Sequence, residues 1–199
     1  MSDTSCKCDM DRISESLNLN KNRLGERFLF FKKYCIMKSH MKHIYIATSN
    51  IHGRGVRAGE NIEKGEIISR IKGPIKFKIN KNKDDAIGHP DWVGVKKDIW
   101  IDPLKPYKFL NHSCNPTSGM RGLTLIALRD IREGDEITID YSIQEGDNLW
   151  EMKCACQTPN CRGVIRSIQF LPKNIFKKYL PNIPAYFKKV HEKYKRLEK

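Results

Sequence analysis

No part of this sequence stays apolar for the roughly 18 residues that a membrane span requires, so nothing in it predicts a transmembrane helix. The start, Met1-Ser-Asp-Thr-Ser-Cys6, lacks a basic region leading into an apolar one, which predicts no secretory signal. Neither the phosphate-loop pattern Gly-x-x-x-x-Gly-Lys-Ser/Thr nor the dinucleotide pattern Gly-x-Gly-x-x-Gly occurs, so the common glycine-loop routes to nucleotide binding are excluded. Internal repeats and low-complexity linkers are also missing, which argues against a solenoid or a tethered array. One tight cluster of cysteines is present without a second local pair, so a self-contained zinc finger is not spelled out.

What is present fits one domain with terminal extensions. The chain has 199 residues, 39% hydrophobic and 30% charged, enough to bury a core. Its seven cysteines, with no secretory signal, predict a reducing compartment, cytoplasm or nucleus, where clustered thiols bind metal more often than they pair. The net charge is +14, and the last 34 residues carry ten Lys or Arg against two Glu, +8 of that total. Such a tail suits phosphate contacts with nucleic acid, and it equally suits a solvated helix face.

Short β-branched and aromatic runs predict strands over 43–48, 66–71, 76–79, 92–95, 123–128, 136–140 and 164–168. Turn residues at Gly53, Gly59, Gly73-Pro74, His89-Pro90 and Gly134 separate them. Beyond Pro172, Ile175, Phe176, Tyr179 and Leu180 fall at helical spacing, and so do Tyr186, Phe187, Val190 and Tyr194 after Pro184. Residues 9–19 predict a short helix, and Phe28–Phe31 is an apolar cluster. The pattern as a whole is mainly β with helical ends.

Four segments carry chemistry. Cys154, Cys156 and Cys161 make three sulfur ligands, one short of the four that structural zinc takes at about 2.3 Å. The nearest candidate for the fourth is Cys114, which ends the polar run Asn111-His112-Ser113-Cys114. The segment Asn50-Ile-His52-Gly53-Arg54-Gly55-Val56 joins strand-like runs through two close glycines, as a ligand-facing bend does, and as an ordinary turn or bulge also does. Asn111-His112 in apolar surroundings reads either as a satisfied core network or as a binding pair. Gly134-Asp-Glu-Ile-Thr-Ile-Asp-Tyr141 is a turn, a strand and a terminal tyrosine.

In this order the segments resemble the SET domain followed by a post-SET zinc cluster, over roughly residues 44–165. The resemblance implies a β-clip-like fold of several small sheets around a knot-like crossing, with helical N- and C-terminal extensions. It divides the chain into an N-terminal extension at 1–42, a SET domain at 43–142, a post-SET segment at 143–168 and a basic helical extension at 169–199. It implies a protein-lysine N-methyltransferase that uses S-adenosylmethionine and acts on a histone or another basic protein, with no membrane partner. Carried over residue by residue, His52, Gly53, Arg54 and Gly55 would line the methionine end of the cofactor, and Asn111 and His112 its adenine end. Tyr141 would be the catalytic hydroxyl, also against the cofactor. Cys114, Cys154, Cys156 and Cys161 would hold one structural zinc ion.

The chain departs from the family pattern at three places. Ile139 stands where relatives carry Phe or Tyr, which predicts a roomier pocket and multiple methylation. Lys108 replaces a usual Arg, and Thr117 a usual Asn, which predicts a looser local hydrogen-bond network. The cysteine-rich pre-SET cluster of some relatives is absent, and Cys6, Cys8, Cys35, His40 and His43 are too dispersed to predict a second metal. Two other readings are a zinc-bearing nucleic-acid-binding module, favoured by the basic tail, and a SET-like interaction module without turnover.

Overall fold

The computed structural model describes residues 41–77 and 91–197; the helix expected over 9–19, Phe28–Phe31, the end of the 76–79 run, and Cys6, Cys8, Cys35 and His40 lie outside the described residues. In chain order the strands are β1 (Ile44–Thr48), β2 (Arg54–Ala58), β3 (Ile67–Arg70), β4 (Ile75–Phe77), β5 (Val93–Lys96), β6 (Ile99–Ile101), β7 (Asn111–His112), β8 (Ser118–Arg121), β9 (Thr124–Ala127), β10 (Glu136–Ile139), β11 (Glu151–Lys153) and β12 (Val164–Arg166). Two helices close the chain, α1 (Lys173–Tyr179) and α2 (Ala185–Leu197). The architecture is mainly β, in several small sheets.

Strand β10 organises the first sheet, whose order is β1-β2-β10-β7. It pairs antiparallel with β2, Ile137 opposite Val56, and parallel with β7, Thr138 opposite Asn111 and Ile139 opposite His112. A strand covered on one face alternates buried and exposed residues, but Ile137, Thr138 and Ile139 are all buried. Thr138 is tolerated there because its polar groups are engaged. Its hydroxyl accepts the Thr117 N–H at 3.1 Å, and its N–H donates to the Thr117 hydroxyl at 2.8 Å. Thr117 also donates to the Glu136 carbonyl, so the loosened network expected from Thr117 is replaced by a reciprocal clasp.

Two three-stranded sheets, β3-β9-β8 and β4-β6-β5, and the hairpin β11-β12 surround the first. Five strands escaped the sequence reading: β2 is interrupted by glycine, and β6, β7, β8 and β11 are two to four residues long, too short to show alternation.

The helices belong to the same core. Phe176, Tyr179, Ile183 and Phe187 are buried with Val56, Ile137 and Ile139 in one hydrophobic cluster. Burying each phenylalanine contributes about 1.5–3 kcal/mol. Between the helices, the Asn182 carbonyl accepts the Met120 N–H at 2.8 Å, and its side-chain oxygen accepts Arg121 Nε at 2.8 Å. That loop therefore covers the edge of β8, satisfying backbone that would otherwise offer itself to another strand. The outward face of α2 carries Lys188, Lys189, Lys193 and Arg196. Among the described residues no helix is long and apolar enough to cross a membrane.

Candidate functional site

The two-residue strand β7 joins the glycine bend to the tyrosine. Its register beside β10 fixes both residues, and they face different neighbours. The Asn111 amide nitrogen has four acceptors within reach: the Ser49 hydroxyl at 3.0 Å, the His52 carbonyl at 3.3 Å, the Arg54 carbonyl at 3.0 Å and Glu136 Oε1 at 2.8 Å. The Ser49 hydroxyl also donates to the Glu136 carboxylate at 2.8 Å. Asn111, Ser49 and Glu136 thus clamp the back of the bend. Gly53 adopts φ +48° with open space where a side chain would stand, and a Cβ on Gly55 would collide with the Glu136 carboxylate. His52, Gly53 and Arg54 remain exposed on the outer side, with the Arg54 guanidinium 4.1 Å above the Phe109 ring. A pinned backbone with an open, side-chain-free face fits a ligand approached by main-chain groups.

His112 continues the path. Its Nδ1 accepts the Tyr141 N–H at 3.1 Å, and its ring lies 5.4 Å from that of Tyr141. Burial holds the imidazole down at about 4, against the attraction of Asp140, so it is neutral near pH 7. The Tyr141 hydroxyl donates to the Leu110 carbonyl at 2.7 Å. Burial first, then Asp91 and Glu136, push this phenol up to about 12. It stays protonated and is no general base near neutrality.

The sulfurs gather on the other side of His112. Cys114 Sγ lies 3.7 Å from Cys154 Sγ, close to the edge of about 3.8 Å expected for sulfurs tetrahedrally placed around zinc. The ligand atoms of His112, Cys114, Cys154 and Cys156 all lie within 4.8 Å of one another, whereas Cys161 is exposed. Cys161 nevertheless interacts with the Cys154 thiol.

His112 and Cys161 are the two candidates for the fourth ligand. A neutral imidazole that accepts at Nδ1 carries its proton on Nε2, the atom 3.4 Å from Cys114 Sγ. In this tautomer Nε2 has no lone pair for a metal and donates to the Cys114 sulfur, which keeps Cys161 a candidate for the fourth position.

Main-chain donors and the Arg162 guanidinium point at the same sulfurs. Arg162 N–H and Nε each reach Cys114 Sγ at 3.3 Å, the Cys114 N–H reaches Cys156 Sγ at 3.5 Å, and the Gly163 N–H reaches Cys161 Sγ at 3.5 Å. Such donors favour thiolate. Hydrogen bonds from Thr158 and the Cys114 N–H outweigh burial at Cys156 and bring its thiol down to about 6. Four reduced cysteines with these donors fit a closed structural zinc site, with no open position for a substrate.

Several residues of this arrangement escaped the sequence reading. Ser49 and Glu136 look like ordinary surface polar residues in sequence, and only the folded clamp identifies them. The buried Asp140 pairs with the partly buried Arg162, Nη2 to Oδ1 at 2.6 Å. An acid just before the tyrosine and an arginine just after the last cysteine were the available signals. Burial opposes the Arg162 charge, but the Asp140 charge together with the hydrogen bonds to Cys114 and Asp140 holds the guanidinium above its ordinary value.

Residues 53–142 match the family model described as SET domain. Over 151 residues, 67% of this chain, the sequence is 30% identical to the "Histone-lysine N-methyltransferase, H3 lysine-4 specific" of Schizosaccharomyces pombe, covering 16% of that protein. It is 30% identical over 145 residues, 62% of the chain, to the "Variant-silencing SET domain-containing protein" of Plasmodium falciparum, covering 6% of that protein. Against the H3 lysine-4 specific enzyme of Saccharomyces cerevisiae it is 30% identical over 142 residues, 62% of the chain and 13% of that protein. The chain thus spans at most about a sixth of the length of these curated relatives. The matched segment contains β2, β7, β10, the bend from Gly53 onward and Tyr141, and over residues 53–142 the chain belongs to the SET domain family.

Proposed function

We propose that this chain is a protein-lysine N-methyltransferase that moves a methyl group from S-adenosylmethionine to a lysine amine of a protein substrate, with histones as the leading class. The observation that carries this reading is the dipeptide Asn111-His112. One of its side chains pins the exposed bend at residues 52–54, and the other receives the backbone of Tyr141. A binding bend and a hydroxyl are thereby held in fixed relation by adjacent residues, as proximity catalysis requires. The names of the relatives, two of the three described above being specific for histone H3 lysine 4, support histone as substrate.

In this assignment His52, Gly53, Arg54 and Gly55 hold the methionine end of the cofactor, and Asn111 and His112 its adenine end. S-Adenosylmethionine supplies a methyl group on a positively charged sulfur, an electrophile open to a neutral amine. A free lysine amine is protonated up to a pKa near 10.4, so the pocket must favour its neutral form by desolvation. The proton leaves to water. Tyr141, with its own proton engaged by the Leu110 carbonyl, offers its oxygen as an acceptor that aligns the incoming amine. Cys114, Cys154, Cys156 and Cys161 hold one zinc, and that ion would fasten residues 143–168 to the domain at 43–142.

The outward basic face of the extension at 169–199 would make a weak nucleic-acid contact; of cytoplasm and nucleus, a histone substrate favours the nucleus. Methyl transfer to mixed histones, followed with labelled cofactor, tests the reading. The unmodified chain should label a lysine, and Tyr141→Phe should slow transfer at least about 100-fold. An unchanged rate in Tyr141→Phe would remove that hydroxyl from the chemistry. Cofactor binding without any turnover would favour an interaction module instead.

A further inference from the structure

Asp140 is fully buried, and the transfer chemistry leaves it without a role. Three separate parts of the chain converge on its carboxylate. Oδ1 accepts the Ser142 N–H at 3.1 Å, capping the 3-10 turn Tyr141–Gln144. The same oxygen takes Arg162 Nη2 at 2.6 Å, from the residue after Cys161. Oδ2 accepts the Tyr179 hydroxyl at 3.1 Å, and Tyr179 is the last residue of α1. That hydroxyl also reaches the Cys114 carbonyl at 3.5 Å. Ser142 is held in turn, its hydroxyl donating to the Arg166 carbonyl at 2.6 Å.

Tyr141 sits in the middle of this arrangement. It is the first residue of the turn that Asp140 caps, and its N–H is fixed by His112. A buried carboxylate with one oxygen left short of a donor rotates or draws in water. Here either response would be felt first by the turn that carries Tyr141. The helix α1 lies beyond the residues matched by the SET domain family model, in the C-terminal extension.

We propose that Tyr179 is a positioning residue: through Asp140 it sets the placement of Tyr141, making the C-terminal helices part of the catalytic unit rather than an appended tail. This rests on the methyltransferase reading, and the test separates the two. The extension then has a task that charge does not suggest. Its exposed lysines face solvent, while its buried tyrosine completes the cap on the active-site turn.

The experiment compares Tyr179→Phe with the unmodified, zinc-loaded full chain. Phenylalanine keeps the ring packing and removes only the hydroxyl. The account predicts a fall in methyl-transfer kcat of about fivefold or more, with KM for the cofactor within about twofold. In a Tyr141→Phe background the same substitution should cost less than about twofold more, because its effect passes through the group already removed. With 3-fluorotyrosine incorporated, Tyr179→Phe should also displace the fluorine resonance of Tyr141, identified by its absence in Tyr141→Phe. A matched control, Tyr194→Phe in α2, should leave both kcat and that resonance unchanged.

An unchanged kcat, an equal loss in both backgrounds, or an unmoved Tyr141 resonance would overturn the proposal. If the unmodified chain transfers no methyl group, the activity reading fails by itself. The fluorine resonance then still decides the positioning claim, since it needs no turnover. Should Tyr179→Phe not fold, Asp140→Glu, which keeps the charge but displaces the carboxylate, takes its place with the same expectations.

Discussion

Asn111 offers two N–H groups to four acceptors, so its removal would be felt at several places at once. Asn111→Ala leaves the Glu136 carboxylate, the Ser49 hydroxyl and two bend carbonyls short of a donor. The expected cost is about 1–3 kcal/mol of stability, read by denaturant unfolding, together with a loss of cofactor affinity of at least about tenfold. At Ile139 the expected change is in the product rather than in affinity. The side chain is 1% exposed and two residues from Tyr141, and Ile139→Phe adds an aromatic ring there. The unmodified chain should produce di- and trimethyl-lysine, and Ile139→Phe should stop earlier, as read from the intact mass of the modified peptide. Overpacking should lower stability by about 1–3 kcal/mol in the same variant. Only monomethyl product from the unmodified chain under excess cofactor would contradict the roomier pocket. Tyr141 gives a pH prediction. Its phenol, pushed up to about 12, stays protonated through the working range, so the rate should rise with pH as the substrate amine deprotonates. No loss from tyrosine ionisation should appear below about pH 10.

Among the elements, legibility followed length and exposure. The runs at β1, β3, β5, β9 and β10 were readable because β-branched residues lie between clear turns. Strand β7, on which the site depends most, has two residues and no periodicity, so Asn111 and His112 could be found only through the resemblance. The cysteine spacing exposed Cys154, Cys156 and Cys161, and Cys114 was the nearest upstream thiol, whereas the place of His112 beside these sulfurs shows only in the fold. The clamp of Ser49 and Glu136 and the node at Asp140 join segments distant in sequence, and no local pattern encodes such a meeting. The helices were legible as amphipathic, but not their docking. His191 marks that docking: its ring is buried, stacks on Phe176 at 3.8 Å, and its Nε2 lies 3.0 Å from the Leu171 carbonyl. Burial lowers its pKa, so the unfolded chain takes up the proton first. The stability from burying the neutral ring is therefore complete above about pH 6.5 and declines as pH falls below it. Thermal unfolding from pH 7.5 down to 5 should show this decline, and His191→Gln should reduce it, leaving the part due to His112, which burial also keeps neutral. An identical acid slope in His191→Gln would contradict the assignment.

For the molecule as a whole, the metal cluster and the buried ion pair do related work. Cys114 leaves the first sheet to meet sulfurs from the β11–β12 region, and Arg162 leaves that region to meet Asp140 at the end of β10. A buried charge pair contributes little net stability but is costly to break, because one partner is then stranded. Removing the ion should therefore release residues 143–168 and leave Arg162 and Asp140 to part. The basic face of α2 acts at the same scale without shaping the site: a nucleic-acid contact there should weaken steeply with salt, while methylation of a short peptide should not.

The central claim is that one ion drawn from two distant segments completes the cofactor pocket beside Tyr141. The most direct test is titration calorimetry of S-adenosylhomocysteine into the zinc-loaded chain and into the same chain stripped with chelator, with zinc content measured on both samples. The account predicts one zinc per chain, a single cofactor site, and an affinity at least about tenfold lower after stripping, restored when zinc is returned. Equal affinity with and without the metal, or a chain that binds no zinc, would contradict it.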